Sequence, residues 1–338
     1  MTRRPPRSTL FPYTTLFRSP EDVTIIDQIK YYLMYDRFGT TGSLGRWMMK
    51  MSASIQLNLD YSSAEEAAQL AFLTDTLQPF LSLIFSNVPF MNGKPTGIRN
   101  MRLDIWEDTD PSRCGGLLGH GITTDEELLS AFAKLTAKAP AIFGKDSSGN
   151  ISLFDGTIGD WLESISTSRE LRNQEGLTAL HQVFTHVRFK DVLEIRTPDR
   201  PPFGYELAPA AFITGLLQAP CCLDVVAETV ASWTLEERYE AIEKSKTVDL
   251  SQIAFDRKSF RHWNEKLFEL SLEGLDERAE QLCIPSERIY LEPFVEQFLS
   301  KGPCTLQTQE EFASSGKTLK EFIRSRWKNQ KGQIFSNI

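Results

Sequence analysis

Residues 52–60, SASIQLNLD, alternate strictly: Ala53, Ile55, Leu57 and Leu59 fall on one side, and Ser52, Ser54, Gln56, Asn58 and Asp60 on the other. A period of two predicts a strand with one apolar and one polar face. Alternation by itself is what any half-exposed antiparallel strand shows, so the meaning of the polar face depends on its neighbours. The pattern returns at 99–106, where Met101, Leu103 and Ile105 oppose Asn100, Arg102, Asp104 and Trp106. It returns again at 187–196, where Val192, Glu194 and Arg196 oppose Leu193 and Ile195. Each stretch is expected to be a strand.

Helical periodicity fills most of the rest. A short amphipathic helix is expected over 23–34, followed by a flexible loop over 39–45 (GTTGSLG). Ser62 or Ser63 can cap a helix whose first turn carries Glu65 and Glu66 and which Pro79 ends or kinks. Residues 86–97, SNVPFMNGKPTG, read as a turn-rich loop. Thr124 and Glu127 have capping-box spacing for a helix reaching Lys138, 147–150 reads as a hairpin tip, and 157–163 as a short helix. From Pro209 onward helices are expected at 209–218, 223–232, after a second capping box at Thr234 and Glu237, and at 256–281, 285–300 and 310–327. Strands first and helices later predict an α+β fold, sheet-rich over 20–208 and helical over 209–330, within a single domain over 20–338.

Composition narrows the function classes. The 338 residues suffice for a sizeable core. With 37 basic and 45 acidic residues the net charge is −8, so neither nucleic acid nor an anionic membrane is expected as a partner, and an anionic substrate needs a local basic pocket. No apolar run long enough for a transmembrane helix occurs. The five cysteines lack zinc-site spacing and are odd in number, which points to a reducing compartment, cytoplasmic or, in a photosynthetic host, plastidic. The four histidines read as structural or surface residues. Oligomeric state is not legible.

The three polar faces together would line one concave surface holding Gln56, Asn58, Asp60, Arg102, Asp104, Glu194 and Arg196. That set contains no lysine and mixes amides, acids and arginines, unlike an ordinary solvated face. It suits oxygen ligation of a hard cation beside guanidinium clamps for carboxylate or phosphate.

The runs MMKMSASIQLNLDYSS, LIFSNVPFMNGKPTGIRNMRLDIWEDTDPSRCG and VRFKDVLEIRTPD, in this order, resemble the glutamate–cysteine ligases of the plant and proteobacterial type. The resemblance covers roughly 35–300. It implies a glutamine synthetase-like fold, a curved antiparallel sheet forming an open half-barrel. The implied reaction is ATP-dependent joining of the glutamate γ-carboxylate to the cysteine amine through a γ-glutamyl phosphate, with Mg²⁺. By position it implies Glu194 and Gln56 as metal ligands and Arg196 and Arg102 as catalytic cations. It also implies Arg113, Trp106, Met49 and Asn58 as substrate-binding residues. Alternatives are a general carboxylate–amine ligase of the same superfamily and a non-catalytic amino-acid binder.

Several positions depart from the family pattern. Ala53 stands where plant relatives often carry cysteine, which argues against redox control there. Asp104 replaces a histidine, Val88 a serine, and Thr197-Pro198-Asp199 a G-A-D run. Residues 1–19 resemble translated sequencing adapter and are expected to be a non-native leader. The family's N-terminal glutamate strand would precede everything seen here, so the polypeptide as written is expected to be inactive.

Overall fold

The computed structural model describes residues 19–326. The expected leader, apart from Ser19, and the end of the last expected helix lie outside them. The chain opens with helices α1 (Ile29–Thr41) and α2 (Gly45–Met51), then strand β1 (Leu57–Leu59), helices α3 (Ala64–Thr76) and α4 (Gln78–Ile84), and the hairpin of β2 (Phe90–Met91) and β3 (Lys94–Pro95). Next come α5 (Met101–Glu107), β4 (Cys114–Gly115), α6 (Leu128–Lys138), the hairpin β5 (Gly144–Lys145) and β6 (Ile151–Ser152), then α7 (Ile158–Ser166) and α8 (Asn173–Leu180). Strands β7 (Phe184–Thr185), β8 (Val187–Phe189) and β9 (Leu193–Ile195) precede α9 (Ala208–Leu217), α10 (Pro220–Ala231), α11 (Leu235–Lys244), α12 (Phe260–Leu282), α13 (Glu292–Lys301) and α14 (Cys304–Ser314). Mixed helix and small sheets make an α+β fold. No single helix among the described residues is long and apolar enough to cross a membrane.

Several expected elements hold because their end signals are local. Ser63 caps α3 by accepting from the Glu66 N–H, and the chain breaks at Leu77 so that Pro79 enters α4 at its first turn. Thr157 with Asp160 and Thr234 with Glu237 form complete capping boxes. The tip at 147–150 joins β5 to β6, with Asp146 accepting from the Ser148 and Asn150 N–H groups.

Other expectations are corrected. Residues 99–106 are not a strand: Met101–Glu107 is helical, with Arg102 and Trp106 as deeply buried as Met101 and Ile105. Arg102 and Trp106 are buried together with Met101 and Ile105 while Asp104 is only half-buried, so the spacing that matters is i,i+4, not i,i+2. The strand expected over 52–60 shrinks to Leu57–Leu59, with Met48–Met51 belonging to α2. The stretch 187–196 is two strands folded back on each other, β8 and β9. Gly39–Thr41 continue α1 rather than forming a loop, and that helix starts at Ile29, not at 23. Thr124 caps nothing: α6 begins at Leu128, and the preceding backbone is held by Arg238, whose Nη1 donates to the Thr123 carbonyl at 2.8 Å. Asp256 and Arg257 take positive φ (50° and 58°), so α12 starts only after Ser259, which caps it. The loop at 86–97 contains the β2–β3 hairpin, turned by Asn92-Gly93 with φ of 50° and 75°. Helix α8 and the break between α14 and the helical residues 319–326 went unread.

The central sheet has three antiparallel strands in the order β1-β9-β8. Its register pairs Leu57 with Ile195 and Leu59 with Leu193, while Val187 and Phe189 flank the same two β9 residues. These side chains enter the main apolar core with α3, α4, α9 and α12. The opposite face carries Asn58, Glu194 and Arg188 in one row. Beyond this row the pairing shifts by one residue, because Ser54 bridges Asp199, and the extra residue falls in the Thr197-Pro198 stretch where proline cannot donate. A second apolar group, built from Phe38, Met48, Met51, Met101, Ile105 and Trp106, lies on the polar side of the sheet and seats α5 above it.

Helices α9 and α12 cross backbone to backbone. A Cβ on Gly274 would stand 2.0 Å from the Gly215 carbonyl oxygen, and one on Gly215 would stand 2.1 Å from that of Ser271. Ser271 Oγ completes the seam by donating to the Phe212 carbonyl at 2.9 Å. Gly274→Ala is therefore expected to cost about 1–3 kcal/mol in urea denaturation, since α12 must lift off α9; an unchanged midpoint would contradict this crossing.

Candidate active site

The cleft lies between the polar face of the sheet and α5. Glu194 is its anionic centre. Arg188 Nη2 lies 2.6 Å and Arg196 Nη1 2.8 Å from Glu194 Oε2, while Lys190 pairs with Oε1. Arg188 and Glu194 face each other across the hairpin and Arg196 follows at the next same-face position, so strand parity alone brings the three together. From above, Arg102 Nη2 donates to the Arg196 carbonyl at 3.0 Å, and Arg102 Nε lies 3.2 Å from Asp199 Oδ1.

Aromatic rings fix the guanidinium planes. Arg102 and Arg196 sit over the Trp106 ring at 5.5 and 5.3 Å, and Arg188 and Arg196 sit over Phe184 at 5.5 and 5.8 Å. Trp106 and Phe184 stack on each other at 6.4 Å. Such stacking orders the side chains and lowers the entropy lost when a ligand binds.

Burial and charge act in opposition here. Burial would push Glu194 up, but Arg188, Arg196 and Lys190 hold it down at about 2. Burial raises Asp199 to about 6, against the pull of Arg102 and of the Asn87 N–H that donates to its Oδ2 at 2.7 Å. Burial lowers His186 to about 3, and the charges of Arg102 and Arg196 add to the effect. Arg102, Arg196 and Asp199 line the cleft itself, and the Arg196–Glu194 ion pair joins them to Arg188 and Lys190. Three buried donors lining the cleft, Gln78 Nε2, Trp106 Nε1 and the Thr197 hydroxyl, have no protein partner. Excess guanidinium charge with unused donors suits a carboxylate or phosphate.

A pH dependence follows. Unfolded, His186 takes a proton near ~6.5, whereas folded it stays neutral to about 3. The unfolded chain binds the extra proton between those values, so His186 costs stability as pH falls through them. Asp199 and Asp75, both raised to about 6, act oppositely, contributing stability that is present at low pH and lost as pH rises through 6. His186→Asn is expected to make the loss of stability from pH 6.5 to 4.5 smaller than in the parent by up to about 1.4 kcal/mol per pH unit. Identical slopes in urea titrations at several pH values would contradict a buried neutral imidazole.

The sequence-derived residues divide into groups. Arg102, Trp106, Glu194 and Arg196 come together as described, and Asn58 joins them by register opposite Glu194, at the exposed edge. Met49 is half-buried on α2 against the apolar group that contains Trp106. Asp104 turns away on α5 and pairs with Arg99 at 2.6 Å, while Asp60 is solvent-exposed. Arg113 is fully buried in a separate knot: it bonds Asp110 at 2.8 Å, the Gln182 carbonyl at 3.0 Å and the Pro140 carbonyl. The DTDPSR segment turns on Asp110, whose Oδ1 accepts from Ser112 and whose Oδ2 accepts from both Arg113 and Arg37. Sequence reasoning missed Arg188, Lys190, Asp199, His186 and Gln78 as site residues. Arg188 was legible in principle, because a turn at Lys190-Asp191 puts it across from Glu194.

The Mg²⁺ ion that the resemblance implies does not fit this donor set. Both Glu194 oxygens are taken by cations, so an ion there would meet three like charges at bonding distance. Gln56 is exposed, with its amide Nε2 3.4 Å from Ser54 Oγ.

The chain is 30% identical over 267 residues to the chloroplastic glutamate–cysteine ligase of Medicago truncatula, an alignment covering 77% of this chain and 51% of that protein. It is 28% identical over 275 residues to the chloroplastic enzyme of Nicotiana tabacum (77% and 50% covered) and 28% over 267 residues to that of Arabidopsis thaliana (77% and 50%). The chain thus spans about half the length of the curated relatives it matches. The sequence model for glutamate-cysteine ligase family 2 matches residues 16–293, which include every residue of the cleft, and the chain belongs to that family.

Proposed function

We propose that this chain carries the substrate-facing cleft of a ligase that joins the γ-carboxylate of glutamate to the amine of cysteine at the expense of ATP, the first step of glutathione biosynthesis. Family membership supports the reaction class. The observation that carries the reading is the cation excess around Trp106 and Phe184, with three buried donors left unpaired.

The chemistry explains why such a cleft is needed. A carboxylate is a poor electrophile, so transfer of a phosphoryl group to it supplies a leaving group for amine attack. All the reacting partners except the amine are anionic, and bringing them together requires neutralisation and alignment more than covalent help from the protein. Arg196 and Arg102, held by Trp106, would neutralise the phosphoryl and carboxylate oxygens. Glu194 would keep Arg188, Lys190 and Arg196 from repelling one another in the empty cleft. ATP-dependent ligation of this kind generally needs a divalent metal, for which Glu194 offers no free oxygen.

The sheet β1-β9-β8 would be a portion of a curved glutamine synthetase-like sheet, a reading supported by its antiparallel order and its single polar face. Residues 20–338 would act as one catalytic unit, since the main core draws on residues from Leu59 to Cys304.

The test is ADP release by the natural gene product. Release that requires both glutamate and cysteine, with γ-glutamylcysteine as product, is expected. Release that ignores glutamate, or proceeds equally with unrelated amines, would overturn the substrate assignment.

A further inference from the structure

Away from the cleft, the N-terminal turn of α10 and the C-terminal part of α12 bring two thiols and a carboxylate together. The ligand atoms of Cys221, Cys222 and Glu277 all lie within 4.8 Å of one another. The two Sγ atoms are 3.9 Å apart, and Cys221 Sγ is hydrogen-bonded to Glu277 Oε2. Two thiolates on one tetrahedral zinc ion, with Zn–S of about 2.3 Å, stand about 3.8 Å apart. The sulfur spacing therefore already matches a shared ion, without a rotamer change.

The surroundings hold this arrangement. Glu277 Oε1 accepts from Gln281 Nε2 at 2.7 Å, one turn along α12, which leaves Oε2 aimed at Cys221. Cys222 is buried, with its Sγ 3.4 Å from the Leu270 carbonyl, and it lies over Gly274, where a Cβ would approach that sulfur to 3.1 Å. The close α9–α12 crossing at Gly274 thus makes the room that Cys222 occupies. Cys221 is exposed and Glu277 half-buried, giving an ion a route in past Cys221 and a fourth position open to solvent.

We propose that Cys221, Cys222 and Glu277 form a binding site for a thiophilic divalent cation of the zinc type, clamping α10 to α12. Two sulfur ligands select such an ion over Mg²⁺ or Ca²⁺. Binding replaces two S–H bonds by two metal–sulfur bonds, and the two protons leave to buffer. The site is independent of the ligase reading, and neither Cys221, Cys222 nor Glu277 touches the cleft.

The test is titration of the full chain, reduced and metal-free, with all five thiols confirmed by assay. Co²⁺ is the probe. One equivalent is expected to bind, with sulfur-to-cobalt charge-transfer absorption and tetrahedral visible bands that one equivalent of Zn²⁺ abolishes. Cys221→Ser, at an exposed position that does not threaten folding, is expected to weaken binding at least about tenfold, since even supporting residues around a metal cost that much. Glu277→Gln should weaken it as well, and Cys283→Ser should leave it unchanged. Absence of stoichiometric uptake, or a charge-transfer band undiminished in Cys221→Ser, would overturn the proposal.

Discussion

Replacing Glu194 by alanine is expected to lower the unfolding free energy by about 3–5 kcal/mol, because it strands several buried cations without a counter-charge. Arg188 and Arg196 are each less than one-tenth exposed and bond the same Glu194 oxygen, while Lys190 takes the other. Removing the carboxylate leaves three positive charges converging on a low-dielectric space. Urea denaturation measures the effect, and Glu194→Gln, which keeps the shape and loses the charge, should recover only a minor part of it. The result also separates two roles for this residue. A carboxylate reserved for a metal would cost turnover on removal while leaving stability near that of the parent. A carboxylate that balances arginines costs stability first.

Arg113→Lys is expected to be of similar size, about 3 kcal/mol or more, although it conserves charge. The guanidinium of Arg113 reaches Asp110, Gln182 and Pro140 at once, tying the turn after α5 to the segments before β5 and before β7. An ammonium is a point charge on a flexible stem and cannot span three separated acceptors, so carbonyls buried in the parent would lose their partners. Asp110 would keep Arg37 at 3.1 Å, which limits the loss to the Arg113 half of the knot. A melting curve matching the parent would show that the fork is dispensable. A folded variant that had lost glutamate binding alone would instead favour the α-carboxylate role that the family resemblance implies for Arg113.

The parts of the fold legible in the sequence were those fixed by neighbouring residues. Ser63, Thr157 and Thr234 announce their helices because a cap is satisfied within one turn. Glu194 and Arg196 were placed on one face correctly even though the single strand assumed for them is a hairpin, because reversing the chain at Lys190-Asp191 leaves strand parity in β9 intact. Parity misled at 99–106. There the alternation of Met101, Leu103 and Ile105 is real, but Arg102 and Trp106 are buried too, since one side of α5 meets the second apolar group and the other meets the arginines. A polar residue at an apparently exposed position can be buried when it has a specific partner, and sequence periodicity carries no information about that partner. Arg102 over Trp106 is such a case, one helical turn apart.

The candidate site was legible in kind more than in geometry. Mixed amides, acids and arginines announced a binding surface, and the motif order announced the family. Neither disclosed that Glu194 would be enclosed by three cations, one of which, Arg188, lies on a strand hidden by the unread turn. Nor did they disclose that Asp110 and Arg113 of DTDPSR would be tied to Arg37 and to the Gln182 and Pro140 carbonyls. Both facts depend on contacts between residues brought together only by the tertiary fold, as does Asp199, which anchors Arg102 and the Asn87 backbone from beyond the sheet.

The central claim is that the guanidinium cluster on Trp106 and Phe184 receives the anionic substrates. The most direct measurement is calorimetric titration of the chain with glutamate and with ATP, in parallel for the parent and for Arg196→Lys, which keeps a cation beside Glu194 but lacks the planar fork. The account predicts saturable binding to the parent and affinity at least about tenfold weaker in the variant, the loss of one charge-assisted pair of bonds at about 1.5–3 kcal/mol. Equal affinity in the two proteins, or no binding of either ligand to the parent, would contradict it.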